Sequence, residues 1–358
     1  MFEKTVWRPE RTCNYESECA LSQYLRQRPL ALTVLLAVTS VLLVALGVCL
    51  GSSGLQSLHS ISADALSQQI VWDIRLPRTS GAWAAGALLG LAGALAQGLF
   101  RNPLADPYLL GSAAGASLGV CLALALLSGA SVAAPWLLTL GTTGAAFVGA
   151  SAAVLLTLAL ARGVHHTLRL LLAGVVVGVV LGAANSLVLM VQPQLLQSMQ
   201  GFMLGSTALV GWGPCLLMLG TWCVCMLAAW ALSPVLDGLS LGEHTAVSLG
   251  LPVAPMRIAL VLVLALATAT AVSHTGLIAF VGLAAPHLVR AMVRSGHAHL
   301  LLLSSLMGGV LVLAADLLAR SVMAPEELPV GVLTAVLGGA YLLWLMRQQN
   351  PVPAGAKP

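Results

Sequence analysis

Residues 81–100 read GAWAAGALLGLAGALAQGLF, a run without a single charge, and residues 101–107 follow as RNPLADP. As an α-helix the apolar run would be about 30 Å long, which matches the hydrocarbon core of a bilayer. The polar segment behind it, with its two prolines, cannot lie in lipid, because its backbone groups would find no hydrogen-bond partners there. The junction therefore predicts a membrane-embedded chain and marks one face of the membrane.

The composition agrees with a membrane protein. Hydrophobic residues make up 59% of the 358 residues and charged residues only 8%, whereas soluble domains carry about 25% charged residues. The 36 glycines fit a bundle whose helices approach closely. The seven cysteines lack metal-ligand spacing, and the adjacent His165 and His166 would point in different directions from a helix, so no metal site is predicted. The net charge of +4 reflects membrane topology, and no nucleic-acid partner is expected.

Ten apolar segments are candidate membrane spans, so the predicted fold is an all-α membrane protein. They lie at 30–50, 81–100, 108–128, 135–161, 170–191, 207–232, 257–273, 276–293, 299–318 and 330–346. The seventh and eighth are separated only by residues 273–276. This stretch is compatible with one long buried segment or with a tight re-entrant hairpin, and the charge distribution favours an outer turn.

The distribution of Lys and Arg gives the orientation. Of the 16 basic residues, only Arg75, Arg78 and Arg320 fall in predicted outer segments. The prediction is a multi-pass membrane protein with a cytoplasmic tail at 1–29, a transmembrane domain at 30–346 and a second cytoplasmic tail at 347–358. Ten spans divide into five plus five, which favours two halves of inverted orientation.

Several polar motifs interrupt the apolar background in a fixed order. They are RLPR at 75–78, FRNPLADP at 100–107, LGSAAG at 110–115, SLGEHTAVSLG at 240–250, GLIAFVGLAAPHLVR at 276–290, ADLLAR at 315–320 and ELPVGV at 327–332. Together they resemble the FecCD family, whose members are permease subunits of ABC importers for iron-siderophores, heme and vitamin B12. The likeness covers about 30–346 and implies that this transmembrane domain is a permease domain in a bacterial inner membrane. One departure is GGAY at 338–341, where many members read Gly-Ala-Pro-Phe.

Segment 237–256 is the longest predicted inner loop and has a helix-like core from Glu243 to Leu249. By itself the pattern fits an interfacial amphipathic turn. The resemblance implies instead a coupling helix that docks on a separate ATPase, through Leu241, Gly242, Glu243, His244, Ala246, Leu249 and Gly250. The sequence has no GxxxxGK[ST] phosphate loop, so ATP and Mg²⁺ are expected on that partner, with no cofactor on this chain.

Arg75, Arg78 and Arg320 lie on the face where positive charge is least expected. Arginines at a membrane edge often extend to the lipid headgroups. The resemblance implies that they meet acidic residues of a periplasmic substrate-binding protein. Arg320 has a third alternative, because Asp316 lies one helical turn before it.

Polar residues within the spans are candidates for a transport pathway. The candidate lining residues are Gln97, Asn185, Ser186, His274 and His287, with hydrogen bonding to a neighbouring helix as the alternative. The resemblance places Asn102, Leu104 and Thr167 at a gate near the inner mouth.

The resulting hypothesis is a permease subunit that works by alternating access and has no catalytic residues. It predicts a homodimer in lipid with two ATPase subunits and a periplasmic binding protein. Heme is the first expected substrate, from the overall resemblance, and a ferric siderophore or vitamin B12 is the alternative. A secondary transporter or channel acting without ATP is the rival class. That class would need carboxylates within the membrane as ion relays, and Asp316 is the one acidic residue in a predicted span.

Overall fold

The computed structural model describes residues 29–51, 54–55, 65–127, 135–161, 167–324 and 326–349. The greater part of both predicted tails, at 1–28 and 350–358, and the His165–His166 pair lie outside the described residues. The helices are α1 (Pro29–Cys49), α2 (Ala65–Ile70), α3 (Leu76–Phe100), α4 (Ser112–Leu127), α5 (Pro135–Leu160), α6 (Thr167–Val191), α7 (Leu195–Leu204), α8 (Trp212–Ala231), α9 (Ser233–Ser240), α10 (Glu243–Ser248), α11 (Val253–Thr275), α12 (Val281–Met292), α13 (His297–Ser321) and α14 (Val330–Gln349).

Short elements complete the description. A π-helical turn, Val71–Arg75, joins α2 to α3, and a 3-10 turn, Pro107–Leu110, precedes α4. Two strands of two residues each, Leu50–Gly51 and Gly54–Leu55, pair antiparallel after α1.

The all-α membrane fold is confirmed. In the described part of the chain, seven helices are long and apolar enough to cross a membrane: α1, the continuous helix Ala65–Phe100, Leu140–Leu160 of α5, Leu168–Val191 of α6, α8, α11 and α13. Shorter apolar helices, Ser112–Leu127 and Val330–Trp344, occupy two further predicted segments. The remaining segment, 276–293, contains the short helix α12, so all ten predicted segments contain helix. The inverted arrangement of two halves stays a prediction.

The decisive run at 81–100 forms the central helix of the bundle. Helix α3 is almost completely buried and packs against α8, α11, α12 and α13. It begins earlier than the sequence suggested, because α2 and the π turn extend the same helix back to Ala65. It ends at Arg101, whose left-handed backbone (φ 50°) directs its N–H to the carbonyls of Gln97 and Gly98. The predicted junction therefore terminates a buried helix.

Glycines allow the neighbours of α3 to approach its backbone. A Cβ atom at Gly93 would lie 1.7 Å from the carbonyl oxygen of Gly282 in α12. A Cβ at Gly86 would lie 2.3 Å from the carbonyl oxygen of Gly308 in α13. No larger residue fits at either contact without a backbone shift, so close packing of small residues holds the bundle together.

The break at 273–276 is real, but the segment after it is not a full helical span. Helix α11 ends at Thr275, Gly276 adopts φ 68°, and α12 begins only at Val281. With 12 residues, α12 is about 18 Å long and cannot cross the hydrocarbon core alone. The prediction of a span over 276–293 is corrected to a short helix preceded by non-helical backbone. Such backbone is tolerated at membrane depth where protein surrounds it, and Ile278 and Val281 are buried.

Candidate functional site

The predicted coupling segment contains a helix where the sequence indicated one. Helix α10 starts at Glu243, and Gly242 (φ 112°) and Gly250 (φ 78°) on either side adopt backbone conformations that favour glycine. Ala246 is fully buried next to Gly238 of α9, which fixes one face of α10. Apolar side chains of α10 and its adjoining turns are exposed, with Leu241 67%, Val247 59% and Leu249 63% exposed. His244 is also exposed.

Glu243 does not point away from the protein as an unpaired charge. Its Oε2 atom lies 3.3 Å from Nη2 of Arg257, and Nη1 of the same guanidinium donates to Oε1 at 3.4 Å. The Arg257 side chain, in the second turn of α11, is only 2% exposed. The charge that the sequence suggested for docking is thus engaged within the chain.

A second polar contact holds the segment from its other end. The Oδ1 atom of Asp237, in α9, accepts a hydrogen bond from the backbone N–H of His297 at 3.1 Å and lies 2.6 Å from its ring Nδ1. His297 is the first residue of α13, and Gly296 before it has no side chain to cap the helix. Asp237 therefore satisfies an N-terminal N–H of α13 from a different helix.

The predicted docking arginines form part of a buried charge network. Asp316 is completely buried and forms ion pairs with Arg320, one turn later, and with Arg78 of α3 at 3.4 Å. Thr207 donates its hydroxyl to the same carboxylate. Arg78 also makes a two-point contact with Glu327, at 2.9 Å from Nη1 to Oε1 and 2.8 Å from Nη2 to Oε2.

This network changes the interpretation of the three arginines. The alternative that Asp316 engages Arg320 is confirmed. Arg75 is also buried, and its Nη1 donates to the carbonyl oxygen of Val48 at 3.2 Å. The hypothesis that they bind acidic residues of a binding protein stays a prediction, because Arg78 and Arg320 would have to exchange carboxylate partners of their own chain.

Glu327 is the accessible member of the network. It lies in the connection between α13 and α14, and its side chain is 30% exposed. The hydrogen bond from Arg78 holds the pKa of Glu327 below its ordinary value, and the positive charge of Arg78 acts in the same direction. The carboxylate is therefore ionised at neutral pH.

The predicted inner gate residues lie on an exposed turn. Asn102 accepts a hydrogen bond from the N–H of Leu104 at 3.0 Å through its side-chain oxygen, and both residues are exposed. Asp106 then accepts from the N–H of Tyr108 at 2.8 Å and starts the 3-10 turn. Burial raises the pKa of Asp106 to about 6, and the hydrogen bond from Tyr108 offsets part of this effect. Thr167 is the first residue of α6.

The two polar residues of α6 have different environments. Asn185 is buried, and its Oδ1 atom has no hydrogen-bond partner among the described residues. Ser186 is exposed and donates its hydroxyl to the Gly182 carbonyl at 3.1 Å. Within one chain, Ser186 is therefore available to line a pathway, whereas Asn185 faces the protein interior.

Sequence reasoning missed a polar contact between α3 and α12. The Arg290 guanidinium donates to the side-chain oxygen of Gln97, and the Gln97 amide donates to the carbonyl of Leu283 at 3.2 Å. A glutamine inside an apolar run was a usable signal, but its partner is 193 residues away. The contact joins the end of the central helix to the short helix after the break.

Comparison with known proteins identifies the family of this chain. A model of the FecCD transport family matches residues 35–348. The chain belongs to this family. It is 37% identical over 332 residues to the hemin transport system permease protein HmuU of Yersinia pestis, covering 91% of this chain and 96% of that protein. It is also 37% identical over 323 residues to the vitamin B12 import system permease protein BtuC of Salmonella paratyphi A, covering 88% of this chain and 93% of that protein.

Solved structures support the same architecture. The FecCD permease superposes on a metal-chelate type ABC transporter in an inward-facing conformation with a TM-score of 0.77 and 30% identity, over 89% of this chain and 98% of the other. PsaBC from Streptococcus pneumoniae matches with a TM-score of 0.54 and 17% identity over 82% of this chain, which shows the fold alone.

Family membership and the apolar helices give the general class of the protein. It is a multi-pass inner-membrane permease of the ABC importer type, a transport component and not an enzyme. Proteins of this type work with an ATPase and a substrate-binding protein.

Proposed function

We propose that this FecCD permease carries an iron chelate, with heme as the first candidate, from the periplasm to the cytoplasm by alternating access driven by ATP hydrolysis on separate subunits. The observation that carries the proposal is the exposed apolar surface of α10 and its flanking turns, held on the bundle by two polar contacts. Three large apolar side chains, exposed on α10 and on the turns that flank it, favour a protein partner.

The partner of this surface is an ATPase subunit. Leu241, Val247 and Leu249 fit an apolar cleft, and His244 between them can add a polar contact. The chain itself has no phosphate-binding loop, so ATP and Mg²⁺ bind on the partner. Gly242, Ala246 and Gly250 shape α10 rather than contact the ATPase.

The working unit is a homodimer with two ATPase subunits. Helix α6 is the least buried of the candidate spans, with only 17% of its apolar window inside the chain. An apolar helix of this kind can face lipid or a second copy, and the exposed Ser186 favours the second copy with the pathway between the two chains. The exposed turn at Asn102 and Leu104, with the start of α6 at Thr167, forms the inner gate.

Heme is proposed because the hemin permease of Yersinia pestis is similar to this chain over nearly its full length. Vitamin B12 permeases are similar to the same degree, so vitamin B12 is an alternative substrate. A ferric siderophore is the other alternative. Among the described residues no group of three His, Cys, Asp or Glu side chains is placed to hold a metal ion. An apolar pathway without strong ligands suits a large chelate that must be released on the other side.

The orientation follows from the basic residues. Both termini and α10 are assigned to the cytoplasm, and the arginine network to the periplasmic side, where the binding protein docks. A secondary transporter is less well supported, because the buried Asp316 is compensated by two arginines and is not a free proton carrier.

The substrate can be tested by ATPase stimulation. The complete complex is reconstituted in nanodiscs and mixed with binding proteins loaded with heme, a ferric siderophore or vitamin B12. Heme is expected to stimulate hydrolysis most strongly. Stimulation by vitamin B12 alone would overturn the heme assignment and keep the importer class. No stimulation by any of the three would contradict the proposed chelate class.

A further inference from the structure

The contact between Glu243 and Arg257 joins the first residue of α10 to the bundle. Both carboxylate oxygens face the two terminal nitrogens of one guanidinium, at 3.3 and 3.4 Å. A two-point contact of this kind fixes the relative orientation of the two side chains as well as their distance. The Glu243 side chain is 37% exposed, whereas that of Arg257 is 2% exposed.

The unequal burial indicates which interaction Glu243 serves. An arginine as buried as Arg257 needs a negative partner close by, because an uncompensated buried charge is strongly unfavourable. Glu243 supplies a two-point partner of this kind from α10. Turning Glu243 toward another protein would break both contacts, so the geometry assigns the carboxylate to its own chain.

Asp237 and His297 make the corresponding contact between α9 and α13. Asp237 accepts from the first N–H of α13 and contacts the same residue's ring. Helices α9 and α10 are packed together, since a Cβ at Gly238 would lie 3.6 Å from that of Ala246. The segment Ser233–Ser248 is thus attached to α11 by one pair and to α13 by the other.

We propose that Glu243 is a positioning residue that transmits the movement of α10 to the bundle, and that it is not a docking charge for the ATPase. The inference rests on the proposed function, in which α10 contacts an ATPase. The glycines at 242 and 250, with positive φ angles, interrupt the helix on either side of α10. The Glu243–Arg257 pair bypasses them and links α10 directly to α11, which leads into the break at 276–280.

The two roles of Glu243 predict different results for a charge exchange. With the complete complex in proteoliposomes, Glu243→Arg is expected to lower substrate transported per ATP hydrolysed by about tenfold, within the range for loss of a charge-assisted contact. The same loss is expected for Arg257→Glu. The double variant Glu243→Arg with Arg257→Glu is expected to recover most of the wild-type ratio, because the pair is restored with reversed sign. A docking role predicts no recovery, since the ATPase surface is unchanged.

A second measurement does not depend on placing a glutamate at the buried position 257. For Glu243→Gln, the amount of ATPase subunit that copurifies with the permease should equal that of the wild type, while the transport ratio falls. Glu326→Gln, an exposed carboxylate without a described ion pair, serves as the matched control and should change neither quantity. Loss of copurification in Glu243→Gln, or failure of the exchange in a correctly assembled double variant, would overturn the inference. Absence of ATP-driven transport in the wild type would refute the proposed function instead.

Discussion

Asp316 gives the sharpest prediction about the stability of the bundle. Its buried carboxylate faces Arg78 and Arg320 and accepts from Thr207. Asp316→Asn keeps the shape of the side chain and removes the charge. Two arginines with side chains only 11% and 2% exposed would then share Glu327 as their remaining described carboxylate. Removing one partner from a buried pair costs about 3–5 kcal/mol.

Glu327→Gln provides the graded comparison. Its carboxylate contacts the same Arg78, but at 30% exposure water can replace much of the interaction. The expected loss is therefore about 0–1 kcal/mol, as for other exposed ion pairs. At roughly 2 °C per kcal/mol for a large domain, Asp316→Asn should lower the melting temperature by about 6–10 °C and Glu327→Gln by about 2 °C or less.

Scanning fluorimetry of the purified permease in one detergent tests this order, with Glu326→Gln as an exposed control. The alternative, in which the arginines serve to dock a binding protein, predicts something else for Asp316→Asn. Under that alternative, the substitution would release both guanidinium groups and leave folding nearly unchanged. The binding protein would then associate equally well or more tightly. A melting temperature within about 2 °C of the control would refute the structural role of the network.

Three further predictions concern packing, pH and orientation. Gly93→Ala should destabilise the bundle by at least about 1–3 kcal/mol, because its Cβ would overlap the Gly282 carbonyl. Gly220→Ala, whose Cβ would have no atom within 4 Å, should be tolerated in the same melting assay. Burial raises the pKa of Asp106 to about 6, so the folded state holds this proton more tightly than the unfolded state, and the resulting stability is lost as pH rises through 6. From pH 5 to 7 the wild type should therefore lose stability relative to Asp106→Asn. A difference in melting temperature between the two proteins that stays constant with pH would contradict the burial argument. A cysteine replacing the exposed Thr245, in a background without other cysteines, should react with a membrane-impermeant thiol reagent only after the cells are opened, and labelling of intact cells would reverse the assigned orientation.

Local patterns in the sequence were sufficient for the helices and the coupling segment. The charge-free run at 81–100 predicts the central helix, and glycines at 242 and 250 delimit α10, because these features act within one or two helical turns. The sequence predicts too late a start for the central helix, because Arg75 and Arg78 resemble the end of a span when their buried contacts are unknown.

Contacts between residues far apart in the sequence account for the features that the sequence does not predict. Arg78 and Asp316 are 238 residues apart, and nothing in either neighbourhood specifies the other. The shortness of α12 depends on Phe280, whose left-handed backbone (φ 68°) is unusual for a bulky residue. A Cβ at Gly338 would lie 2.4 Å from the Cβ of Phe280 and 2.8 Å from its ring carbon Cγ. Both features arise from tertiary packing.

The energy source of transport tests the central claim most directly. The complex, isolated through a tag on this permease, is reconstituted in proteoliposomes with ATP or a non-hydrolysable analogue inside and heme-loaded binding protein outside. Uptake of labelled heme should require hydrolysable ATP and should persist when ion gradients are collapsed. Uptake that proceeds with the analogue and depends on a proton or sodium gradient would contradict the account and make the protein a secondary transporter.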